Sequence, residues 1–133
     1  MTVLVDTSAF LALLDASDHR RGAAVAWLEA RRADGTELLT HEYVVVETIA
    51  LVQRRLGLAA LRRFVDDLLP IAEVVWVDPA VHSEALESLL ASGSRSVSLV
   101  DRVSFLVMRR RGIGTAFAFD DDFTREGFRV IPD

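Results

Sequence analysis

Short apolar runs alternate along the chain with longer segments in which apolar residues recur at helical spacing. The apolar runs predict strands at TVLV (2–5), ELLT (37–40), AEVVWV (72–77), TAFAF (115–119) and FRVI (128–131). The intervening segments predict helices over 8–14, 18–33 and 41–56, from Leu58 to just before Pro70, from Pro79 to the SGSRS loop (92–96), and over 98–111. Strands that alternate with helices predict an α/β sandwich around a mostly parallel sheet.

Local signals mark several of the helix ends. Gly57 and Gly112 each follow a helical segment, and glycine is the favoured residue just past a helix end. Asp78-Pro79 combines a capping acid with proline at the first helical position. We therefore expect a helix to begin at Pro79.

The composition indicates a folded protein. A length of 133 residues with 51% hydrophobic residues predicts one domain, spanning residues 1–133, with a real core. The absence of cysteine excludes disulfides, zinc–thiolate sites and thiol catalysis, and it favours a cytoplasmic location. The chain shows no basic leader and no apolar run near the roughly 20 residues that cross a bilayer, so no membrane association is expected.

The charge pattern restricts the chemistry further. The net charge is −5, which argues against a protein that coats nucleic acid through bulk charge. All 15 basic residues are arginine, so no mechanism that requires lysine can operate. Contacts to a phosphate backbone would have to come from arginine, although the paired arginines, such as Arg20-Arg21 and the run Arg109 to Arg111, are more often solvated helix faces.

Two aspartates directly follow predicted strands. Asp6 ends the first strand, and Asp120 follows TAFAF, with Asp121 and Asp122 next. Ligand sites in parallel α/β sheets lie beyond the carboxyl ends of the strands, so the two acids share one edge if their strands are neighbours. Each acid alone is about equally well explained as the cap of the following helix.

Glu47 and Asp101 lie in apolar helical segments. On a helix Glu47 has Val44 and Leu51 as neighbours, and the pattern offers it no clearly solvated face. Glutamate is rarely buried without a partner, so a functional role is favoured. Asp101 follows Ser98 at the spacing of a capping box, in which glutamate is the more usual residue. That capping role is compatible with a functional one.

Carboxylates crowded together repel one another and take up protons, and a divalent cation removes that conflict. Hard oxygen ligands suit Mg²⁺ or Mn²⁺. The chain has no HExxH motif, so a catalytic zinc site is not expected. Its three histidines, His19, His41 and His82, are scattered, and surface or capping roles are expected for them.

Four segments occur in this order along the chain: VLVDTSAFLALLD, HEYVVVET, SLVDRVSFLVMRRRGI and AFAFDDDFTREGFRVI. Together they resemble the PIN-domain proteins, and most of all the VapC-type toxin ribonucleases of toxin–antitoxin pairs. The resemblance covers essentially the whole chain and implies a three-layer α/β/α domain whose mostly parallel sheet has four to five strands. The segment 57–97, which varies widely in the family, adds little to it.

The resemblance also implies the site residues. The acids that would bind metal and act in catalysis are Asp6, Glu47, Asp101 and Asp120, with Asp122 as a candidate fifth metal ligand and with Thr7 and Ser8 as supporting hydroxyls. The implied activity is that of a Mg²⁺- or Mn²⁺-dependent endoribonuclease in which a metal-activated water leaves a 5′-phosphate and a 3′-hydroxyl. The implied partners are an RNA substrate and a cognate antitoxin, and the implied assembly is a homodimer or a toxin–antitoxin heteromer.

Other protein classes fit the sequence less well. A receiver domain also places acids at strand ends and binds Mg²⁺, but that family needs a lysine. A phosphatase of the haloacid-dehalogenase type usually carries DxDxT, where this chain has Asp6-Thr7-Ser8. A P-loop enzyme is excluded because no GK[ST] is present. The alternative that stays open is a catalytically silent PIN-fold module that binds RNA or protein.

Overall fold

Five short parallel strands form the central sheet of the computed structural model, which describes all 133 residues. The strands are β1 (Thr2–Val5), β2 (Glu37–His41), β3 (Ala72–Val75), β4 (Thr115–Phe117) and β5 (Arg129–Ile131). Their order across the sheet is β3-β2-β1-β4-β5, so β1 is central and both of its neighbours run parallel to it. The predicted fold class is confirmed, since the sheet has five strands and every pairing is parallel.

Helices connect the strands. They are α1 (Thr7–Leu14), α2 (Arg21–Arg31), α3 (Glu42–Arg55), α4 (Leu58–Arg63), α5 (Pro79–Ser92), α6 (Leu99–Arg111) and α7 (Asp122–Arg125). A π-helical turn (Phe64–Leu68) and a 3₁₀ turn (Leu69–Ile71) continue α4 toward β3. None of these helices combines the length and the apolar character needed to cross a bilayer.

The alternation of side chains along β1 divides the core into two halves. Val3 and Val5 point into one apolar cluster, while Leu4 points into the other. The first cluster packs the sheet against α1 to α4, and its largest fully buried side chains include Phe64 and Phe117. The second packs the opposite face against α5, α6 and α7. The result is the three-layer α/β/α arrangement that the resemblance implies.

The local helix signals agree with the structure. Asp78 caps α5 by accepting a hydrogen bond from the Val81 backbone N–H at 2.8 Å, and Pro79 is the first helical residue. Gly57 and Gly112 follow α3 and α6 with φ angles of 90° and 67°. A side chain with a Cβ is strained in that left-handed region, which explains glycine at both positions.

Several predicted boundaries were wrong. The strand expected over 72–77 ends at Val75, and Trp76 is 76% exposed. The strand expected over 115–119 ends at Phe117, so Asp120 does not follow it directly. The helix from Leu58 changes to π and 3₁₀ geometry and carries the chain through Pro70. Apolar composition predicts burial of a segment, but the hydrogen-bond partners available from neighbouring strands decide where regular structure ends.

Candidate active site

Three of the expected acids meet at the carboxyl edge of the sheet. Carboxylate oxygens of Asp6, Asp101 and Asp120 all lie within 4.8 Å of one another. The three residues come from the end of β1, the first turn of α6 and the loop after β4, so only the tertiary fold brings them together. Asp6 is buried, and the other two are half-buried.

Asp6 is held by the turn that begins α1. It is the N-cap residue of that helix, and its Oδ2 accepts hydrogen bonds from the Ser8 backbone N–H at 3.1 Å and from the Ser8 hydroxyl at 2.6 Å. The same hydroxyl accepts a hydrogen bond from the Phe119 backbone N–H at 3.0 Å. Ser8 therefore ties Asp6 to the loop that carries Asp120.

Asp120 reaches the site because β4 lies directly beside β1. Val5 pairs with Phe117 in the register of the two strands, and the Asp6 N–H donates to the Phe117 carbonyl at 3.0 Å. After β4 the chain takes two further residues before Asp120. The Asp122 backbone N–H donates to Asp120 Oδ1 at 3.2 Å and so fixes this carboxylate.

Asp101 is fixed by the capping box that the sequence suggested. Its Oδ2 accepts from the Ser98 N–H at 3.1 Å, and its own N–H donates to Ser98 Oγ at 3.1 Å. The carboxylate lies at the N-terminal end of α6, where the helix dipole favours negative charge. The capping role and the place in the acidic cluster are thus compatible.

The electrostatics of the cluster favour protons or a cation. Burial raises the pKa of Asp6 to about 7, and the nearby Asp120 and Asp101 carboxylates push it in the same direction against the Ser8 hydrogen bonds. Burial likewise raises the pKa of Asp101 to about 6. The pKa of Asp120 is raised first by burial and further by Asp122. A divalent cation would stabilise all three ionised forms together.

The donor set fits a hard cation. The cluster offers only carboxylate oxygens, which suit Mg²⁺ or Mn²⁺ and do not suit a metal that prefers thiolate or imidazole. All three side chains are held by hydrogen bonds from their own turns, so their positions are set without an ion. Asp6, Asp101 and Asp120 could therefore hold such a cation together.

The structure does not bring the other expected residues into this group of three carboxylates. Glu47 is half-buried on α3, a helix whose exposed face includes Val46. The Asp122 side chain accepts a hydrogen bond from Arg125 at 2.8 Å. Thr7 is buried, and its hydroxyl has no hydrogen-bond partner. Of the two expected hydroxyls, only that of Ser8 is bonded to an acid of the cluster.

His41 anchors the helix that carries Asp101. It is fully buried at the end of β2, and burial lowers its pKa to about 4. Its Nδ1 accepts from the Val44 N–H at 3.4 Å as the cap of α3, which assigns the proton to Nε2. Nε2 then donates to Ser104 Oγ at 2.8 Å, and that hydroxyl donates to the Val100 carbonyl at 3.1 Å. The expected capping role is confirmed for His41.

Sequence reasoning missed the part of this network that lies between elements. Of the surface and capping roles expected for the histidines, His41 has the capping one, but the partner of its second nitrogen, Ser104, is 63 positions away. Sequence reasoning also treated Arg20 as part of a solvated pair, whereas the structure places its guanidinium 5.2 Å from the ring centroid of Phe119, next to Asp120. For the His41–Ser104 and Arg20–Phe119 contacts, the sequence contains one signal: a polar residue lies close to an apolar strand or helix.

Comparison with known proteins gives the family. Residues 3–128 match the family model described as the PIN domain. The chain is also 36% identical over 127 residues to the 23S rRNA-specific endonuclease VapC20 of Mycobacterium tuberculosis, with 95% of each chain covered. The protein belongs to the PIN-domain family, and the resemblance to VapC-type proteins is confirmed.

Solved structures agree with this assignment. The crystal structure of Mycobacterium tuberculosis VapC20, described as a sarcin–ricin loop cleaving toxin, superimposes with a TM-score of 0.84 at 35% identity over 95% of both chains. FitAcB from Neisseria gonorrhoeae superimposes with a TM-score of 0.68 at 18% identity, covering 99% of this chain and 97% of that one. The second match supports the fold alone.

Proposed function

We propose that this protein is a metal-dependent endoribonuclease that acts as the toxin of a toxin–antitoxin pair. The observation that carries the proposal is the group of three hydrogen-bonded carboxylates at the carboxyl edge of the sheet, in a chain similar over its length to a ribosomal RNA endonuclease. The alternative is a silent module of the same fold. It does not explain why three acids are clustered where burial raises the pKa of each, an arrangement typical of active sites.

Asp6, Asp101 and Asp120 are the proposed metal ligands, with Mg²⁺ or Mn²⁺ as the cation. When bound, such an ion lowers the pKa of a water and stabilises the charge that develops on the phosphate. The protein contributes the orientation of the ligands. The Ser8 hydroxyl fixes Asp6, and the Ser98 N–H fixes Asp101. These bonds hold the oxygens in place before the cation arrives, which lowers the cost of assembling the site.

Glu47 and Asp122 remain in the proposed site on the resemblance to the family. The support for Asp122 is its charge, which raises the pKa of Asp120 and of Asp101 and so acts on the cluster from close by. Glu47 lies on α3, which packs against both α1 and α6, the helices that begin at the cluster. Thr7 is proposed as a supporting hydroxyl next to Asp6, since its side chain is buried and unbonded.

Ribosomal RNA is the proposed substrate, because VapC20 is named for 23S rRNA and for cleavage of the sarcin–ricin loop. The proposed partners are a cognate antitoxin protein and a second copy of the chain. Exposed apolar side chains such as Val46, Leu58 and Leu90 offer surface for such contacts. The cytoplasm is the proposed location. We further propose that residues 1–133 form one domain, because all five strands join one sheet.

The test is cleavage of an RNA oligonucleotide that contains the sarcin–ricin loop. The purified protein is incubated with the RNA in Mg²⁺, in Mn²⁺ and in EDTA, and the product ends are analysed. We expect metal-dependent cleavage that leaves a 5′-phosphate and a 3′-hydroxyl. Asp6→Asn and Asp101→Asn should lose at least about 100-fold in rate, since each removes a ligand charge from the site.

Asp66→Asn is the matched control, because Asp66 is an exposed acid on the π-helical turn. It should cleave at the wild-type rate. Cleavage by Asp6→Asn at the wild-type rate, with contaminating nuclease excluded, would contradict the site. RNA binding without turnover in either metal would favour the silent module.

A further inference from the structure

One arginine, Arg20, is immobilised beside the acidic cluster and keeps one of its donors free. Arg20 Nε and Nη2 donate to the two carboxylate oxygens of Asp18, both at 3.1 Å, and the Arg20 backbone N–H donates to Asp18 Oδ1 at 2.8 Å. The guanidinium also lies 5.2 Å from the centroid of the Phe119 ring. A bidentate carboxylate and an aromatic ring together fix both the plane and the position of the guanidinium.

Arg20 is connected to the cluster through Phe119, the residue whose ring it contacts. The Phe119 backbone N–H bonds the Ser8 hydroxyl, which bonds Asp6, and Asp120 is the residue after Phe119. The bond to Asp18 raises the pKa of Arg20, and the charge of Asp120 acts in the same direction. Arg20 is thus a cation at the edge of the acidic site.

Arg125 also lies near the cluster, but it is paired with Asp121 and Asp122. Arginines on α6 are engaged farther away. Arg109 pairs with Glu126 and Arg110 pairs with Glu84, on the face of the molecule covered by α5 and α6. The Arg20 side chain keeps about a third of its surface exposed, and its Nη1 donates to no protein group. A guanidinium that is already oriented loses little side-chain entropy when it binds a phosphate.

We propose that Arg20 binds a backbone phosphate of the RNA next to the bond that is cut, and that Asp18 is the positioning residue that orients it. The inference rests on the proposed nuclease function. A polyanion approaching Asp6 and Asp120 meets like charge, and a fixed cation at the rim offsets part of that repulsion. The free Nη1 supplies the donor, while Asp18 holds the opposite edge of the guanidinium.

The experiment measures binding and cleavage of the sarcin–ricin loop oligonucleotide by Arg20 variants. Arg20→Gln removes the charge, Arg20→Lys keeps it without the bidentate geometry, and Arg21→Gln removes an equal charge from the exposed neighbouring position. Binding is measured in the Asp6→Asn background in Mg²⁺ over a series of salt concentrations. Thermal unfolding of each variant shows that it is folded.

We expect Arg20→Gln to raise the KM for the oligonucleotide about 10- to 100-fold, the range for a charge-assisted hydrogen bond. The slope of log Kd against log salt should fall by about 0.7, the value for one lost contact to single-stranded phosphate. Arg20→Lys should restore part of the affinity and the slope. Arg21→Gln should change the KM by less than about threefold, since the charge of the exposed Arg21 is screened by salt.

Asp18→Asn separates positioning from bulk charge. It removes a negative charge near the RNA, so electrostatics alone predicts tighter binding. Our inference predicts weaker binding, because the guanidinium loses its orientation. Tighter binding by Asp18→Asn, or equal effects of Arg20→Gln and Arg21→Gln, would overturn the inference while wild-type cleavage leaves the proposed function intact. A wild-type protein that neither binds nor cuts the oligonucleotide would instead remove the proposed function and this inference with it.

Discussion

Replacing Asp6 with asparagine should stabilise the metal-free protein while it abolishes cleavage. Asp6 is 3% exposed, and its pKa rises from 3.8 to about 7 on folding, chiefly through burial. Asparagine has nearly the same shape and keeps an oxygen that can accept the two bonds from Ser8. It carries no charge, so it avoids the cost of ionising a buried carboxyl beside two others.

The magnitude and the sign follow from the pKa values. Because the folded pKa lies above the unfolded one, the folded state retains a proton between about pH 4 and pH 7 that the unfolded state has lost. The free energy of unfolding of the wild type therefore falls as the pH rises through this window. The shift from 3.8 to about 7 corresponds to at most about 4 kcal/mol. Asp101, whose pKa rises to about 6, acts in the same direction.

The assay is thermal unfolding in EDTA at intervals from pH 4 to pH 8. At pH 8 we expect Asp6→Asn to be more stable than the wild type by at least about 1 kcal/mol, or about 3 to 5 °C for a chain of this size. At pH 4 the two should differ little. The curve of Tm against pH should be flatter for the variant, and Asp66→Asn should follow the wild type.

Adding the cation should reduce the difference in stability between the two proteins. A ligand that binds only the folded state at 100 times its Kd adds about 2.7 kcal/mol. Saturating Mn²⁺ at pH 8 should thus raise the Tm of the wild type and leave Asp6→Asn nearly unchanged. An asparagine variant that is less stable than the wild type at pH 8 in EDTA, with the same pH dependence, would refute the reasoning.

Three further predictions concern the groups around the cluster and the core beneath it. Ser8→Ala removes a hydrogen bond that lowers the pKa of Asp6, so the acidic limb of the rate–pH profile should move to higher pH. A profile unchanged from that of the wild type would argue against this bond. Ser104→Ala leaves the buried His41 Nε2–H without its acceptor, and denaturant titration should show a loss of about 1 to 3 kcal/mol. Phe64→Ala empties a fully buried site in the α1–α4 half of the core, and the same titration should show a loss of about 3 to 5 kcal/mol.

The sequence determined the fold class and the kind of chemistry. Apolar runs of strand length that alternate with helical periodicity leave little besides a parallel α/β sheet, because a helix between two strands is long enough to carry the chain back for parallel pairing. Asp6 after a strand and Asp101 in a capping box were visible in the local pattern. The lack of cysteine and lysine excludes chemistry by thiol and lysine side chains whatever the arrangement of the chain in space.

The tertiary structure decided which acids meet. Asp6 and Asp120 lie together because β4 pairs with β1, a neighbour relation between segments more than 100 residues apart that no local pattern encodes. Glu47 has the most apolar neighbours of the four acids along the sequence, yet α3 turns Val46 outward and leaves Glu47 outside the group of three carboxylates. Local sequence sets how a helix is capped and which of its faces is apolar. Strand order and the packing of helices against the sheet determine which charged side chains become neighbours. At Asp6, burial and the carboxylates of Asp120 and Asp101 raise the pKa and favour a cation beside it.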